Sequence, residues 1–165
     1  MTIVFKKSTL INMKNIIVVS DTHGRLPDNE ILWEAFDNAD YIFHLGDGAK
    51  EIEKLKAAYP GKVHFVYGNW DGITSHCEEV VEVEGVKFFL THGHNYKVKS
   101  SDLNLQMKGL ELGADCCLYG HVHRPQITEY GKLKLINPGS LTHSKTYCYM
   151  TVVNGKVLAK IVELR

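Results

Sequence analysis

The sequence has no excess of charge of either sign, because 19 lysine and arginine residues balance 19 aspartate and glutamate residues. DNA, RNA and anionic membrane surfaces attract proteins that carry a net positive charge. The even balance therefore argues against nucleic acid as the main partner. No apolar run approaches the roughly 20 residues that a membrane-spanning helix needs, so a membrane protein is not expected either.

Cysteine is scarce and shows no pairing pattern. The four cysteines, Cys77, Cys116, Cys117 and Cys148, form no CxxC motif, and two of them lie in an apolar run that predicts buried thiols. Free thiols are typical of a reducing compartment, which favours a cytoplasmic location. A chain of this length can bury about two-thirds of its unfolded surface without crosslinks.

A regular alternation of strands and helices begins near Lys14. We interpret residues 1–13 as a disordered N-terminal extension, in which the apolar stretch after Lys6 and Lys7 is too short for a secretory signal. Residues 14–165 contain no linker, repeat or low-complexity segment. We therefore predict that they form a single domain.

The first half of the sequence predicts a parallel sheet. The runs Asn15–Ser20, Tyr41–Leu45 and Val63–Tyr67 are typical of buried strands. Helices are predicted after the first two, the first with Asp28 as its N-cap. The apolar face of that first helix comprises Ile31, Leu32, Ala35, Phe36 and Ala39.

The second half is richer in hairpins. Val80–Glu84 and Val86–Thr91 predict a hairpin that turns at Glu84-Gly85, and Asn154-Gly155 is a second hairpin signal. Leu103, Met107, Leu110 and Leu112 predict the apolar face of a third helix, which precedes a strand over 115–119. The fold class is therefore α/β, with the hairpin-rich half forming a second sheet against the first.

Side chains that bind metals follow these strands. The seven are Asp21, His23, Asp47, Asn69, His92, His121 and His123. The site of an open α/β sheet lies outside the carboxyl ends of its strands, so we expect them to converge at one edge. A structural zinc site usually has four Cys or His ligands at short spacings. The wide spacing here favours a catalytic site that the fold assembles.

The donor types indicate phosphate chemistry. Carboxylate, imidazole and amide oxygen suit manganese, iron or zinc. Two divalent ions balanced by Asp21 and Asp47 would leave a surplus of about two positive charges, which binds a phosphate oxyanion. A water molecule bridging two such ions is acidified enough to supply hydroxide near neutral pH for in-line attack on phosphorus.

Five motifs, taken in order, resemble the signatures of calcineurin-like metallophosphoesterases. They are Asp21-x-His23, Gly46-Asp47, Gly68-Asn69-x-Asp71, Thr91-His92-Gly93-His94 and Gly120-His121-x-His123. The resemblance covers residues 14–141, and the short chain resembles the compact prokaryotic phosphodiesterase branch. It implies a two-sheet β-sandwich flanked by helices, a four-layer αββα fold, and hydrolysis of a small phosphodiester or phosphate ester substrate.

The same resemblance implies how two divalent metal ions would be held. One would bind Asp21, His23, Asp47 and His123, and the other Asp47, Asn69, His92 and His121, so that Asp47 bridges them and serves catalysis. Manganese is the first expectation, with iron, zinc and nickel as alternatives.

Trp70 departs from the family pattern. Many phosphatases of the wider family have a histidine there that can protonate the leaving group, and an indole cannot. This favours phosphodiesters over phosphoproteins as substrates. Trp70 itself either stacks on a substrate ring or covers the metal pocket.

Three further residues have predicted roles near the metals. His94 is our candidate for orienting phosphate or protonating the leaving oxygen. We also expect Asn69 to contact the substrate and Asp71 to support the loop that contains both residues.

Several alternatives stay open at this point. We interpret His44, His64, His76 and His143 as structural or surface residues, and a plain turn explains 137–140 as well as a role near the site does. One rival function is a protein-interaction scaffold on the same fold, like the retromer subunit that resembles this family. The other is a nuclease, which the charge balance disfavours.

Overall fold

The structure is a computed structural model that describes residues 11–165. The elements of this part of the chain are β1 (Met13–Val19), α1 (Glu30–Asn38), β2 (Tyr41–His44), α2 (Ala49–Ala58), β3 (Val63–Phe65), β4 (Glu78–Val83), β5 (Val86–Thr91), α3 (Leu103–Leu112), β6 (Cys116–Tyr119), β7 (Gln126–Tyr130), β8 (Leu133–Asn137), β9 (Thr146–Val153) and β10 (Lys156–Glu163). Most of the predicted N-terminal extension lies outside the described residues, and β1 already includes Met13.

The strands form two five-stranded sheets. The first has the order β10-β9-β1-β2-β3 and the second β4-β5-β6-β8-β7. Strands β1, β2 and β3 run parallel, as the first half of the sequence predicted. Strands β5, β6 and β8 are also parallel to one another.

The C-terminal hairpin is not where the sequence predicted it. Strand β9 pairs with β1 in the antiparallel direction, and β10 pairs with β9, so both extend the first sheet rather than the second. In this position, three side chains of β9 are fully buried in the core between the sheets, namely Cys148, Met150 and Val152.

Three apolar clusters define four layers. The largest lies between the two sheets and includes Ile16, Phe43, Phe88 and Leu118. A second cluster lies between the first sheet and the helices α1 and α2, and a third lies between the second sheet and α3. The predicted helix-sheet-sheet-helix architecture is confirmed.

Two helix details differ from the sequence predictions. The N-cap of α1 is Asn29, not Asp28, because the Asn29 side chain accepts a hydrogen bond from the Leu32 backbone at 3.0 Å. Ile31, predicted to face the core, is 60% exposed.

The face of α3 that packs on the sheet is also different from the predicted one. Leu105 and Gly109 are its buried residues, whereas Leu103, Met107 and Leu110 are 56%, 61% and 68% exposed. A Cβ at Gly109 would lie 2.5 Å from Cys117 Sγ, so glycine is what allows the helix to approach the sheet here.

The hairpin and cysteine predictions are confirmed. Glu84 and Gly85 both have positive φ, as do Asn154 and Gly155, which is the backbone conformation of a type I′ turn. All four cysteines are free, and Cys116, Cys117 and Cys148 are buried. Among the described residues, every helix is too short or too polar to cross a membrane.

Candidate metal centre and its two cavities

The predicted metal-binding side chains lie just beyond the carboxyl ends of five strands. Asp21 and His23 follow β1, Asp47 follows β2, and Asn69 follows β3, all in the first sheet. In the second sheet His92 follows β5, and the pair His121 and His123 follows β6. Loops from both sheets therefore meet at one end of the sandwich.

Five of these residues have a left-handed backbone conformation. The φ angles of Asp21, His23, Asp47, His121 and His123 are 55°, 46°, 56°, 68° and 61°. Residues other than glycine rarely adopt this region, and each such residue costs about 1–3 kcal/mol unless its surroundings compensate. This concentration of strained backbone is characteristic of a functional site, and it also shows that His121 and His123 lie in a loop rather than a strand.

One group of donor atoms belongs to Asp21, His23, Asp47 and His123. One atom from each lies within 4.8 Å of the others. Asp21 Oδ1 is 2.9 Å from His123 Nε2 and 3.7 Å from His23 Nε2, and the two imidazole Nε2 atoms are 3.2 Å apart. Two nitrogens and two carboxylates thus surround one point.

A second group of donor atoms belongs to Asp47, His92 and His121, again within 4.8 Å of one another. The distance from His92 Nε2 to Asp47 Oδ2 is 3.2 Å. Asp47 belongs to both groups, so its carboxylate lies between them.

The orientation of His92 indicates what the site can bind. Its Nδ1 lies 2.7 Å from the Leu45 carbonyl oxygen, which can only accept, so Nδ1 carries the hydrogen. In the neutral imidazole the lone pair is then on Nε2, which is buried without a hydrogen-bond partner, as is Asp21 Oδ1. Buried acceptors that face one another are costly unless a cation lies between them. The donor set therefore fits divalent metal ions.

The pKa shifts reflect the same arrangement. Burial lowers the pKa of His92, but the contact with the Asp47 carboxylate and the charges of Asp21 and Asp47 outweigh it, and the pKa is raised. Burial and the nearby charge of His92 lower the pKa of His121 to about 4. His121 is thus neutral near pH 7, which is the form that binds metal.

Asn69 and Trp70 lie on an exposed turn after β3. The Trp70 backbone N–H donates to Asp47 Oδ1 at 2.9 Å, which ties the turn to the shared carboxylate. Gly68 is required there, because a Cβ would overlap Asp47 Oδ1.

Asp71 holds the loops after β2 and β3 together. Its two carboxylate oxygens accept hydrogen bonds from the backbone N–H groups of Asp47, Gly48, Ala49 and Gly68 at 2.8–2.9 Å. This is the geometry of a residue that supports its loop.

A buried network that the sequence did not reveal lies behind the first group. Glu51 Oε2 accepts hydrogen bonds from Thr22 Oγ1 at 3.0 Å and from the Gly24 backbone at 3.1 Å. His44 Nε2 lies 3.1 Å from Thr22 Oγ1, and its Nδ1 accepts from the Gly46 backbone. Burial lowers the pKa of His44 to about 4, so it is neutral. His44 is thus a structural residue, buried and hydrogen-bonded, which is one of the two roles predicted for it.

The loop that contains 137–143 supports the site from the opposite side. Ser140 Oγ donates to the Asp21 carbonyl at 2.8 Å, and Asn137 Nδ2 donates to the Gly120 carbonyl at 2.9 Å. The His143 ring lies 4.5 Å from that of His123, and donor atoms of His23, His123 and His143 form a third close group. His143 is exposed, in keeping with its prediction as a structural or surface residue, and it also borders the candidate metal centre, which the sequence did not indicate.

Two cavities flank the centre. The larger, of about 500 Å³, is lined by His23, Asp47, Lys50, Glu51 and Trp70, among others. The smaller, of about 360 Å³, is lined by Asn69, Ile73, Thr74, His94 and Asn95, among others. His94 has its Nδ1 buried without a hydrogen-bond partner, and burial, with the charge of His92, lowers its pKa.

Comparisons with known proteins give a consistent result. The model of the calcineurin-like phosphoesterase superfamily domain matches residues 13–156. A probable metallophosphoesterase from Methanothermobacter thermautotrophicus is 36% identical over 135 residues, 76% of each chain. A phosphodiesterase from Methanocaldococcus jannaschii is 32% identical over 145 residues, 74% of this chain and 81% of the relative.

Solved structures agree at the level of the fold. A predicted phosphoesterase from Streptococcus pneumoniae superposes with a TM-score of 0.76 at 27% identity, over 93% of this chain and 94% of the other. The vacuolar protein sorting protein Vps29 from Cryptosporidium parvum superposes with a TM-score of 0.75 at 19% identity, over 91% and 97%. At that identity the second likeness concerns the fold alone.

Proposed function

The chain belongs to the calcineurin-like phosphoesterase superfamily, and we propose that it is a phosphodiesterase that works with two divalent cations, manganese first among them. Metal-dependent hydrolysis of phosphate esters is the activity that the family membership supports. The preference for diesters is supported by the phosphodiesterase among its relatives and by tryptophan at position 70. A small phosphodiester is the proposed substrate.

The observation that carries the proposal is the pair of buried acceptor atoms without partners, His92 Nε2 and Asp21 Oδ1. They belong to the two donor groups that share Asp47. In our proposal the first cation is held by Asp21, His23, Asp47 and His123, and the second by Asp47, Asn69, His92 and His121. Bound cations of this kind neutralise phosphate charge and acidify water near neutral pH.

The residues of the chain have separate tasks in this mechanism. The Leu45 carbonyl fixes the His92 ring so that Nε2 is free to bind. Asp71 and Glu51 fix the loops that carry Asp47 and His23 through backbone hydrogen bonds. His94, which lines the smaller cavity, is our candidate for contacting the phosphate or the leaving oxygen.

The rival functions explain less of the site. A scaffold has no use for orphaned buried acceptors or for five donor residues in left-handed conformations, each of which is costly. A nuclease would need to attract a long polyanion, and the chain carries equal numbers of acidic and basic residues.

The proposal is tested by metal-dependent hydrolysis of bis(p-nitrophenyl) phosphate. Protein stripped with a chelator is titrated with manganese, beside Asp47→Asn and the control Asp28→Asn, which changes an exposed aspartate. We expect no activity without metal, wild-type activity in the control, and a loss of more than about 100-fold in kcat/KM for Asp47→Asn. Equal rates with and without metal would contradict the proposal.

A further inference from the structure

The indole ring of Trp70 is exposed to solvent, although a large apolar ring is costly to expose. Its side chain is 77% exposed, the largest fraction among the exposed large hydrophobic residues of the described chain. An indole buries a large area when it finds a partner. The turn that carries the ring is fixed, because the Trp70 backbone N–H donates to Asp47 Oδ1 and the adjacent Asp71 accepts from four backbone N–H groups.

The turn that carries Trp70 contributes residues to both cavities. Trp70 and Asp71 line the larger cavity, together with His23 and Asp47 of the proposed metal centre. Asn69, from the same turn, lines the smaller cavity together with His94. One short turn therefore borders both cavities, Trp70 and Asp71 the larger one and Asn69 the smaller one.

A phosphodiester has two substituents, which must be placed separately. In-line displacement puts the leaving oxygen opposite the attacking oxygen, while the second substituent stays on phosphorus and projects to the side. His94 in the smaller cavity can donate a hydrogen bond to a leaving oxygen, and an indole ring cannot serve as a proton donor for it at neutral pH. The smaller cavity thus suits the leaving group, and the larger one suits the substituent that remains.

We propose that Trp70 is the stacking platform for the retained substituent of the phosphodiester, and that this substituent carries a flat ring, as a nucleoside or an aryl group does. The inference rests on the proposed function, since it assigns a subsite to the same reaction. A flat ring stacked on tryptophan contributes binding free energy through the contact of the two ring faces, and an aliphatic group of similar size makes no such contact. The site would therefore prefer diesters whose retained group is flat.

Three diesters with one leaving group test this proposal. They are the p-nitrophenyl esters of phenyl, cyclohexyl and methyl phosphate, so that only the retained substituent changes. For Trp70→Ala we expect KM to rise about ten-fold for the phenyl ester, less for the cyclohexyl ester and little for the methyl ester. Trp70→Phe, which keeps a flat ring, should recover most of the loss.

Two further measurements separate stacking from other roles. Phenyl phosphate, the product that keeps the ring, should quench the tryptophan fluorescence of wild-type protein more strongly than methyl phosphate does, and Trp70→Ala should abolish that difference. The matched control is Leu110→Ala, which removes another largely exposed apolar side chain, from the outer face of α3. It should leave all three KM values unchanged.

The outcomes that overturn the proposal are distinct. Equal losses for all three esters would mean that Trp70 contacts the leaving group or covers the metals, and no loss would mean that it contacts no substrate. Hydrolysis that still depends on manganese in either case would leave the phosphodiesterase assignment intact. Absence of metal-dependent hydrolysis of every ester would instead refute the proposed function itself.

Discussion

His94 is the residue whose proposed role at the leaving group can be tested most directly. Its ring lies 5.5 Å from that of His92 and 6.2 Å from that of His121. A donor placed at the leaving oxygen matters more when that oxygen is more basic. We therefore expect His94→Ala to slow a phenyl diester about ten-fold more than a nitrophenyl diester.

The measurement is kcat/KM for both esters at saturating manganese, with His94→Asn as the companion variant that keeps a hydrogen-bond donor. If both esters were slowed by the same small factor, or not at all, His94 would have no role at the leaving group.

Some residues near the centre can be identified from the sequence and others cannot. Aspartates and histidines placed directly after buried strands could be predicted, because donor type and strand ends are local properties. The structure brings six of the seven predicted donors into two adjoining groups. Glu51 and His143 could not be predicted as neighbours of the site, because a glutamate in the first turn of a helix and a histidine in a loop are ordinary on their own. Only the tertiary fold puts them against the loops of the site.

At the scale of elements, the strands of this protein follow the sequence more closely than the helix faces do. β-branched runs and Asn-Gly or Glu-Gly turns fix strands and hairpins locally. The orientation of α3 depends instead on Gly109, which carries no apolar signal but permits the closest approach to Cys117. The hydrophobic residues Leu103, Met107 and Leu110 consequently face outward.

The edge strands β3 and β4 belong to different sheets, and Glu79 connects them. Its Oε1 lies 2.6 Å from Nδ1 of His64 on β3, and its Oε2 accepts a hydrogen bond from the Phe65 backbone. Burial would raise the pKa of Glu79, but the hydrogen bond and charge of His64 outweigh it, so the pKa lies below its ordinary value of 4.5. The ionised form is therefore the one that stabilises the fold.

This connection predicts a pH dependence with a definite sign. A carboxylate whose pKa is lowered by folding stabilises the folded state fully at pH values above its pKa in the unfolded chain. This stabilisation is lost as the pH falls through the pKa of the folded state. Glu79→Gln should lower Tm by about 2–4 °C near neutral pH, the effect of about 1 kcal/mol, and the difference from wild type should shrink as the pH falls below the ordinary value of 4.5.

Thermal unfolding of both proteins, with a chelator present, between about pH 7 and pH 3 provides the measurement. A difference in Tm that stayed constant over this range would show that the charge of Glu79 does not stabilise the fold.

At the scale of the whole molecule, the site joins the two sheets. Asp21, His23 and Asp47 come from loops of the first sheet, whereas His92, His121 and His123 come from loops of the second. Parallel strands and their polar exits made this meeting predictable, but the sequence assigned the C-terminal hairpin to the wrong sheet. Period-two patterns indicate that a strand exists without saying which neighbour it pairs with.

A cation bound between the sheets should therefore stabilise both. Manganese at about 100 times its dissociation constant adds about 2.7 kcal/mol, which corresponds to a rise in Tm of roughly 5–10 °C for a chain of this size. Hydrogen exchange should slow in the loops after β1 and β2 and also in those after β5 and β6. Asp47→Asn should show neither effect, and protection confined to the loops of one sheet would contradict this prediction.

If the centre binds two cations as we propose, the position of Asp47 in both donor groups has a consequence for how it fills. The Asp47 carboxylate has a single negative charge. Once a first ion has bound, that charge attracts a second ion less strongly, and the two ions also repel each other. Loading of the proposed centre would then be stepwise, with a tight first affinity and a weaker second one. A half-filled protein would dominate whenever manganese is scarce, and the supply of the metal would set the fraction of molecules that can turn over.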